Sequence, residues 1–100
     1  MEGMAVVKKK KKVDREALNS AFMRIPGMRV EAARDLLDLG LREIYQLQGR
    51  APESLLEDLL KKREVPDAET LRLPCFRLAV YFSENEVHDR SLLTPEAWRQ

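Results

Sequence analysis

The chain has 100 residues, of which 44% are apolar and 35% are charged, and its formal net charge at pH 7 is +1. This length accommodates one domain with a modest core, and the composition excludes both a wholly disordered chain and a membrane protein. No apolar run approaches the ~20 residues that span a bilayer, and the short apolar stretch at residues 4–7 precedes its positive charges, the reverse of a signal peptide. Cys75 is the single cysteine, which suits a reducing compartment. We therefore expect a soluble, cytoplasmic protein.

The positive charge is concentrated at the N-terminus. Residues 1–13 carry a net charge of +4, whereas residues 14–100 contain 13 Lys and Arg against 16 Asp and Glu, a net charge of −3. Adjacent lysines repel one another and offer no apolar face, so we predict a disordered polybasic arm over residues 1–13 and a folded domain over residues 14–100. The arm is interpreted either as a solubilising tail or as a flexible segment that lies along nucleic-acid phosphates. Its lysines are Lys8, Lys9, Lys10, Lys11 and Lys12.

Hydrophobic periodicity predicts an all-α fold, a compact single domain of about five helices. Asp14 is a candidate N-cap for a first helix that carries an apolar stripe and ends at Pro26-Gly27. A second helix follows over residues 30–39, with Gly40 placed to end it in the left-handed conformation. A short third helix is predicted to close near residue 49. The predicted stripe of the first helix consists of Leu18, Ala21, Phe22 and Ile25.

The second half of the chain contains the helix that we predict to form the centre of the fold. Pro52 suits the first position of a helix that runs to about residue 63. Residues 75–82 are apolar on most sides, which predicts a central helix, because a strand at this place would have no partner. Thr94-Pro95-Glu96 predicts a last helical turn that folds Trp98 onto the body of the domain.

The segment Ile25-Pro26-Gly27-Met28-Arg29-Val30-Glu31-Ala32-Ala33 resembles a helix-hairpin-helix, whose hairpin reads glycine, apolar, glycine, three residues, alanine. Gly27, Met28 and Ala33 match this pattern. Such a hairpin directs the free N–H groups of a helix start to one side, where a DNA phosphate can bind. Arg29 takes the place of the second glycine; its side chain could pair with a phosphate, or its Cβ could block the close approach that glycine permits. The alternative is a hairpin that serves packing only.

A longer resemblance covers residues 18–98. Its motifs are residues 25–27 (IPG), 37–41 (LDLGL), 52–55 (PESL) and 75–82 (CFRLAVYF), and their order and spacing resemble the small pathogenicity-locus or mitomycin-resistance-type family of helix-hairpin-helix proteins. The resemblance implies a helix-hairpin-helix (SAM-like) domain with a C-terminal helical extension over residues 14–100. It also implies a DNA-linked role, such as DNA repair or resistance to DNA damage, but it does not supply a reaction.

The side chains offer little to catalysis. Cys75 and His88 are the only thiol and imidazole, and we predict that Cys75 is a small buried hydrophobe and His88 a surface residue. One histidine among carboxylates without fixed geometry is a poor metal site. We expect Asp35 and Asp38 to lie on a solvated helix face, and Arg77 to pair with a carboxylate. The sequence therefore predicts a protein that is not an enzyme and uses no cofactor or metal.

The leading hypothesis is a non-catalytic DNA-associated binding module. It would contact the DNA backbone through Gly27, Met28, Arg29 and Val30, while the lysine arm adds salt-sensitive affinity. No recognition helix for base edges is visible, so binding would be independent of sequence and weak, about 10⁻⁴ to 10⁻⁶ M. The alternative is a protein–protein interaction adaptor that uses the hairpin only as architecture, which the acidic balance of residues 14–100 favours. No membrane partner and no small-molecule substrate are expected.

Overall fold

The computed structural model describes residues 13–99, so the predicted arm and its lysines at positions 8 to 12 lie outside the described residues. The described residues form helices only, without a strand, which confirms the all-α prediction. The α-helices are α1 (Arg15–Leu18), α2 (Val30–Asp38), α3 (Pro52–Lys62), α4 (Ala68–Leu71) and α5 (Leu73–Glu84). The 3₁₀ helices are Ala21–Arg24, Ile44–Leu47, Arg90–Leu92 and Pro95–Trp98.

Helix α5 forms the centre of the core. It packs against α3, α4 and the 3₁₀ helices Ile44–Leu47 and Pro95–Trp98. Phe76 and Leu78 have no exposed surface, and apolar residues on most of its sides allow α5 to bury several faces at once. The prediction of a central helix at this place is confirmed.

Local signals in the sequence set several helix ends. The Asp14 carboxylate accepts a hydrogen bond of 3.1 Å from the Ala17 N–H and so caps α1. Pro52 is the first residue of α3, where its missing N–H costs nothing. Gly40 follows α2 with a φ of +92°, and the Leu41 N–H donates to the Leu36 carbonyl at 3.1 Å, which closes the helix.

The predicted first helix is interrupted, and one position of its apolar stripe is wrong. Helix α1 ends at Leu18, because Ser20 adopts an extended backbone conformation and its hydroxyl donates to the Ala17 carbonyl at 2.7 Å. The break changes the helical register. Leu18 is consequently 43% exposed and Ala17 is buried in its place, while Phe22 is buried as predicted.

Asp35 is not on a solvated face, contrary to the prediction. Its side chain is 1% exposed and accepts hydrogen bonds from Arg63 and Arg72, the latter at 2.5 Å. Asp38 accepts hydrogen bonds from Arg63 at 2.7 Å and from Arg34 at 3.1 Å. Arg34 belongs to α2 itself, whereas Arg63 and Arg72 come from other segments of the chain, so the carboxylates of α2 anchor it to the ends of α3 and α4.

Candidate functional site

The hairpin between the 3₁₀ helix Ala21–Arg24 and α2 is a tight turn that depends on Gly27. Ile25 is extended, and its carbonyl accepts the Met28 N–H at 3.1 Å across the turn. Gly27 has a φ of +81°, in the left-handed region that favours glycine. The turn therefore reverses the chain immediately before α2 begins.

The four residues predicted to contact DNA fall into two groups. Gly27 and Arg29 are exposed, so both are accessible to a ligand. Met28 is only 7% exposed and packs in the core, and Val30 is half-buried against the same core. The side chains of Met28 and Val30 therefore hold the turn in place, and contact from this segment falls to Gly27, to Arg29 and to backbone groups.

The first turn of α2 presents N–H groups that have no acceptor among residues 13–99. The Arg29 carbonyl accepts the Ala33 N–H at 3.0 Å, and no side chain caps this end of the helix. The N–H groups of Val30 and Glu31 precede the first intrahelical hydrogen bond and point out of the positive end of the helix dipole. Arg29 has an extended backbone with a φ of −99°, so arginine replaces the second glycine of the pattern without strain.

A C-terminal strap (residues 90–99) lies against the hairpin. A Cβ added to Gly27 would stand 3.0 Å from the Pro95 side chain, 3.1 Å from the Leu93 carbonyl oxygen and 3.2 Å from the Thr94 Cα. Gly27 is thus required twice, by its backbone conformation and by the close approach of the strap. Sequence periodicity gives no signal for this contact between residues so far apart in the chain.

The strap is in turn fixed to α5. The Arg77 guanidinium donates to the Trp98 carbonyl at 2.7 Å and to the Glu53 carboxylate at 3.4 Å, which confirms the predicted pairing of this arginine. The rings of Trp98 and Tyr81 lie 5.3 Å apart, and the indole N–H donates to the Leu92 carbonyl at 2.9 Å. Trp98 folds onto the body of the domain as predicted.

The hairpin, the strap and the start of α5 line a cavity of about 320 Å³, here called the arginine cavity. Three arginines from different segments reach it, and only one of them was a predicted site residue. Buried residues of α5 form its floor. Its lining includes Arg29, Arg72, Arg99, Glu31, Glu96, Pro74 and Cys75.

The ionisable groups of the arginine cavity influence one another. A hydrogen bond from the Thr94 hydroxyl lowers the pKa of Glu96, and the positive charges of Arg99 and Arg29 lower it further. Burial raises the pKa of the Cys75 thiol, although the Arg29 charge and its N–H act in the opposite direction. Cys75 is 1% exposed, so it lies in the core as predicted, as a neutral thiol at pH 7.

His88 is not a simple surface residue. Its ring stacks on Phe82 with the centroids 4.2 Å apart, and its Nε2 lies 3.1 Å from the Phe82 carbonyl. Cys75 lies near the opposite end of α5, where its sulfur is 3.9 Å from the carbonyl oxygen of Leu71 in α4. The thiol and the imidazole are thus held by different surroundings and do not form a nucleophile–base pair.

A second groove of about 570 Å³ lies on the other side of Arg72. Its apolar wall includes Val13 and Leu18, which are 61% and 43% exposed. Its charged wall contains the buried carboxylate of Asp35 with the arginines bound to it. Helical periodicity did not predict this groove, because it placed Leu18 on a buried stripe.

The family model described as Cdd1, Pathogenicity locus, matches residues 15–98. The chain belongs to the Pathogenicity locus family. The match begins at α1 and ends with the last residue of the 3₁₀ helix Pro95–Trp98, so it includes the hairpin, α5 and the strap. No curated protein and no solved structure matches the chain significantly.

The described residues of this Pathogenicity locus family member contain neither a membrane-spanning helix nor a metal-binding cluster. The longest described helix, α5, has 12 residues, and no described helix is long and apolar enough to cross a bilayer. Residues 13–99 also contain no group of three or more His, Cys, Asp or Glu side chains that could hold a metal ion.

Proposed function

We propose that this protein is a non-catalytic DNA-binding module that contacts the phosphate backbone without reading the base sequence. Residues 25–33 serve as a helix-hairpin-helix, and the first turn of α2 receives a phosphate. The observation that carries the proposal is the exposed Arg29, which stands beside the unsatisfied N–H groups of Val30 and Glu31. Charged donors and aligned N–H groups at a helix start are the combination that binds phosphate in proteins.

The surroundings of the hairpin support a backbone contact. Arg29 and Arg99 are both exposed on the arginine cavity, and neither forms an ion pair with any of residues 13–99. Their charges are therefore available to a phosphate group. The lysine arm, attached at Val13, would add contacts with neighbouring phosphates that are independent of geometry. Such a module would act in a process such as DNA repair or resistance to DNA damage.

Duplex binding by the full-length chain tests this proposal. Fluorescence anisotropy of a short labelled duplex is measured at about 50 mM and about 200 mM salt. Arg29→Glu should weaken binding by about tenfold or more, because it replaces an attraction to phosphate by a repulsion. Arg50→Glu makes the same charge change at an exposed arginine outside the hairpin and the cavity. Equal losses in the two variants would contradict a contact at the hairpin.

The contribution of the arm is separated by replacing its five lysines with glutamine in the full-length chain. The slope of log K against log salt should become shallower by up to about 4.5, because each phosphate that a lysine neutralises contributes about 0.9 to its magnitude. Weak binding that depends on Arg29 should remain. If the lysine-free variant does not bind at low salt, the hairpin serves architecture only.

The second candidate function is a protein-interaction adaptor, and the groove beside Val13 and Leu18 favours it. Two exposed apolar side chains next to a partly buried network of ion pairs form a mixed surface of the kind found at protein interfaces. The net charge of −3 over residues 14–100 points the same way. Absence of DNA binding in the lysine-free variant would make this the better description.

A further inference from the structure

The arginine cavity is formed by positive side chains from distant parts of the chain. Arg29 precedes α2, Arg72 lies between α4 and α5, and Arg99 follows the 3₁₀ helix Pro95–Trp98. Like charges brought together by folding repel one another unless an anion balances them. Carboxylates of the protein are one source of that balance, and a bound anion is another.

The charges of the protein itself balance these arginines only in part. Arg72 donates from Nε to the buried Asp35 at 2.5 Å, and its remaining N–H groups have no acceptor among residues 13–99. Glu31 and Glu96 are the carboxylates of the cavity wall, and one Glu96 oxygen is already bound by the Thr94 hydroxyl. Arg29 and Arg99 form no ion pair with any of residues 13–99, and Arg72 keeps N–H groups available beside its bond to Asp35, so the cavity offers an anion guanidinium donors that the described residues do not use.

The shape of the cavity limits what that anion can be. Pro74 and Cys75 are buried and close the cavity at its base, and the strap closes one side. Its volume of about 320 Å³ is at the lower end of the range for ligand sites. A phosphate with one attached sugar has the appropriate size for this volume.

We propose that the arginine cavity binds a terminal phosphate monoester, the group carried by a phosphorylated nucleic-acid end or a free nucleotide. The inference rests on the proposed function and names the form of phosphate that this site prefers. A monoester carries about −1.5 to −2 charges at pH 7 and three terminal oxygens, which suit several guanidinium groups at once. A phosphodiester within a strand offers one charge and two such oxygens.

The test compares duplexes of one sequence whose ends carry a 5′-phosphate, a 3′-phosphate or only hydroxyl groups, with full-length protein. A phosphorylated end should bind about tenfold tighter than the hydroxyl end. Adenosine monophosphate and inorganic phosphate serve as competitors. Displacement of the labelled duplex by millimolar adenosine monophosphate would assign the site to phosphate monoesters in general. Displacement only by unlabelled phosphorylated duplex would assign it to nucleic-acid ends. Either result supports the proposal.

Three variants locate the preference in the cavity. Arg99→Gln should remove the preference for the phosphorylated end, because it deletes one of the two guanidinium groups of the cavity that form no ion pair with residues 13–99. Glu96→Gln should increase the preference several-fold, because it deletes an opposing charge and keeps the side-chain shape. Arg50→Gln, at an exposed arginine outside the cavity, is the control and should leave the preference unchanged. Circular dichroism of each variant confirms that it folds.

The failure of this inference can be told from the failure of the proposed function. Equal affinity for phosphorylated and hydroxyl ends, or a preference that persists in Arg99→Gln, would overturn the inference. Duplex binding that still depends on Arg29 would leave the proposed function standing in that case. Binding that is indifferent to Arg29→Glu would overturn the proposed function itself.

Discussion

Replacing Gly27 by alanine measures how closely the strap is packed on the hairpin. A left-handed backbone with a φ of +81° costs a residue with a Cβ about 1–2 kcal/mol. The new Cβ would also lie 3.1 Å from the Leu93 carbonyl oxygen and 3.2 Å from the Thr94 Cα, so the strap backbone would have to move. Overpacking of this kind costs about 1–3 kcal/mol. We expect Gly27→Ala to lower the free energy of unfolding by about 2–5 kcal/mol in total.

Gly49→Ala is the matched control. Gly49 has a φ of +77°, almost the same as that of Gly27, but a Cβ there would meet nothing within 4 Å. Gly49→Ala should therefore lower the free energy of unfolding only by the cost of the left-handed backbone conformation, about 1–2 kcal/mol. Urea unfolding followed by circular dichroism gives both values, provided that the m-value is unchanged. Equal losses of stability at the two glycines would refute the packing argument. Unchanged fluorescence emission of Trp98 in folded Gly27→Ala would also refute it, because Trp98 is the single tryptophan of the chain and lies in the strap.

Three further predictions concern the core and the ion pairs. Asp35→Asn should lower the free energy of unfolding by about 3 kcal/mol, because it leaves two arginines facing a neutral group. The control, Asp58→Asn on the exposed face of α3, should lower it by less than about 0.5 kcal/mol. Similar losses in the two variants would contradict the buried pairing. A hydrogen bond from Arg34 lowers the pKa of Asp14 from its ordinary 3.8 to about 2. The stabilisation that the ionised Asp14 gives the folded state should therefore be complete above pH 3.8 and be lost as the pH falls towards 2. A carboxyl-carbon NMR titration of Asp14 with a midpoint near 3.8 would show that the bond is absent in solution. Cys75→Ala should cost about 0.5–1.5 kcal/mol by urea unfolding, and the wild-type thiol should react with a thiol reagent only on unfolding; rapid reaction in the folded state would contradict its burial.

The features that the sequence predicted well depend on interactions between near neighbours in the chain. Asp14 caps a helix three residues away, Pro52 begins one, and Gly40 ends one, and each of these needs only the adjoining turn. The central position of α5 followed from its being apolar on most sides, which is a property of the segment itself. The resemblance to the pathogenicity-locus family is confirmed by the family model that matches residues 15–98.

Two of the missed features depend on residues far apart in sequence, and a third depends on a local hydrogen bond. Asp35 lies where a solvated face was expected, and it is buried because Arg63 and Arg72, at separations of 28 and 37 residues, come to meet it. Arg99 reaches the arginine cavity only because the strap folds back over Gly27. Leu18 was misplaced by a local competitor, the Ser20 hydroxyl bond that ends α1 early. Helical periodicity contains no information on any of these contacts.

An NMR titration of the full-length chain with a short DNA duplex tests the central claim most directly. The lysines of the arm are replaced by glutamine, so that the titration reports the domain alone, and backbone amide shifts are followed at low salt. We predict that the largest changes occur at the amides of Arg29, Val30 and Glu31, where the phosphate is received. Changes that cluster around Val13 and Leu18, or no changes at all, would contradict a DNA contact at the hairpin.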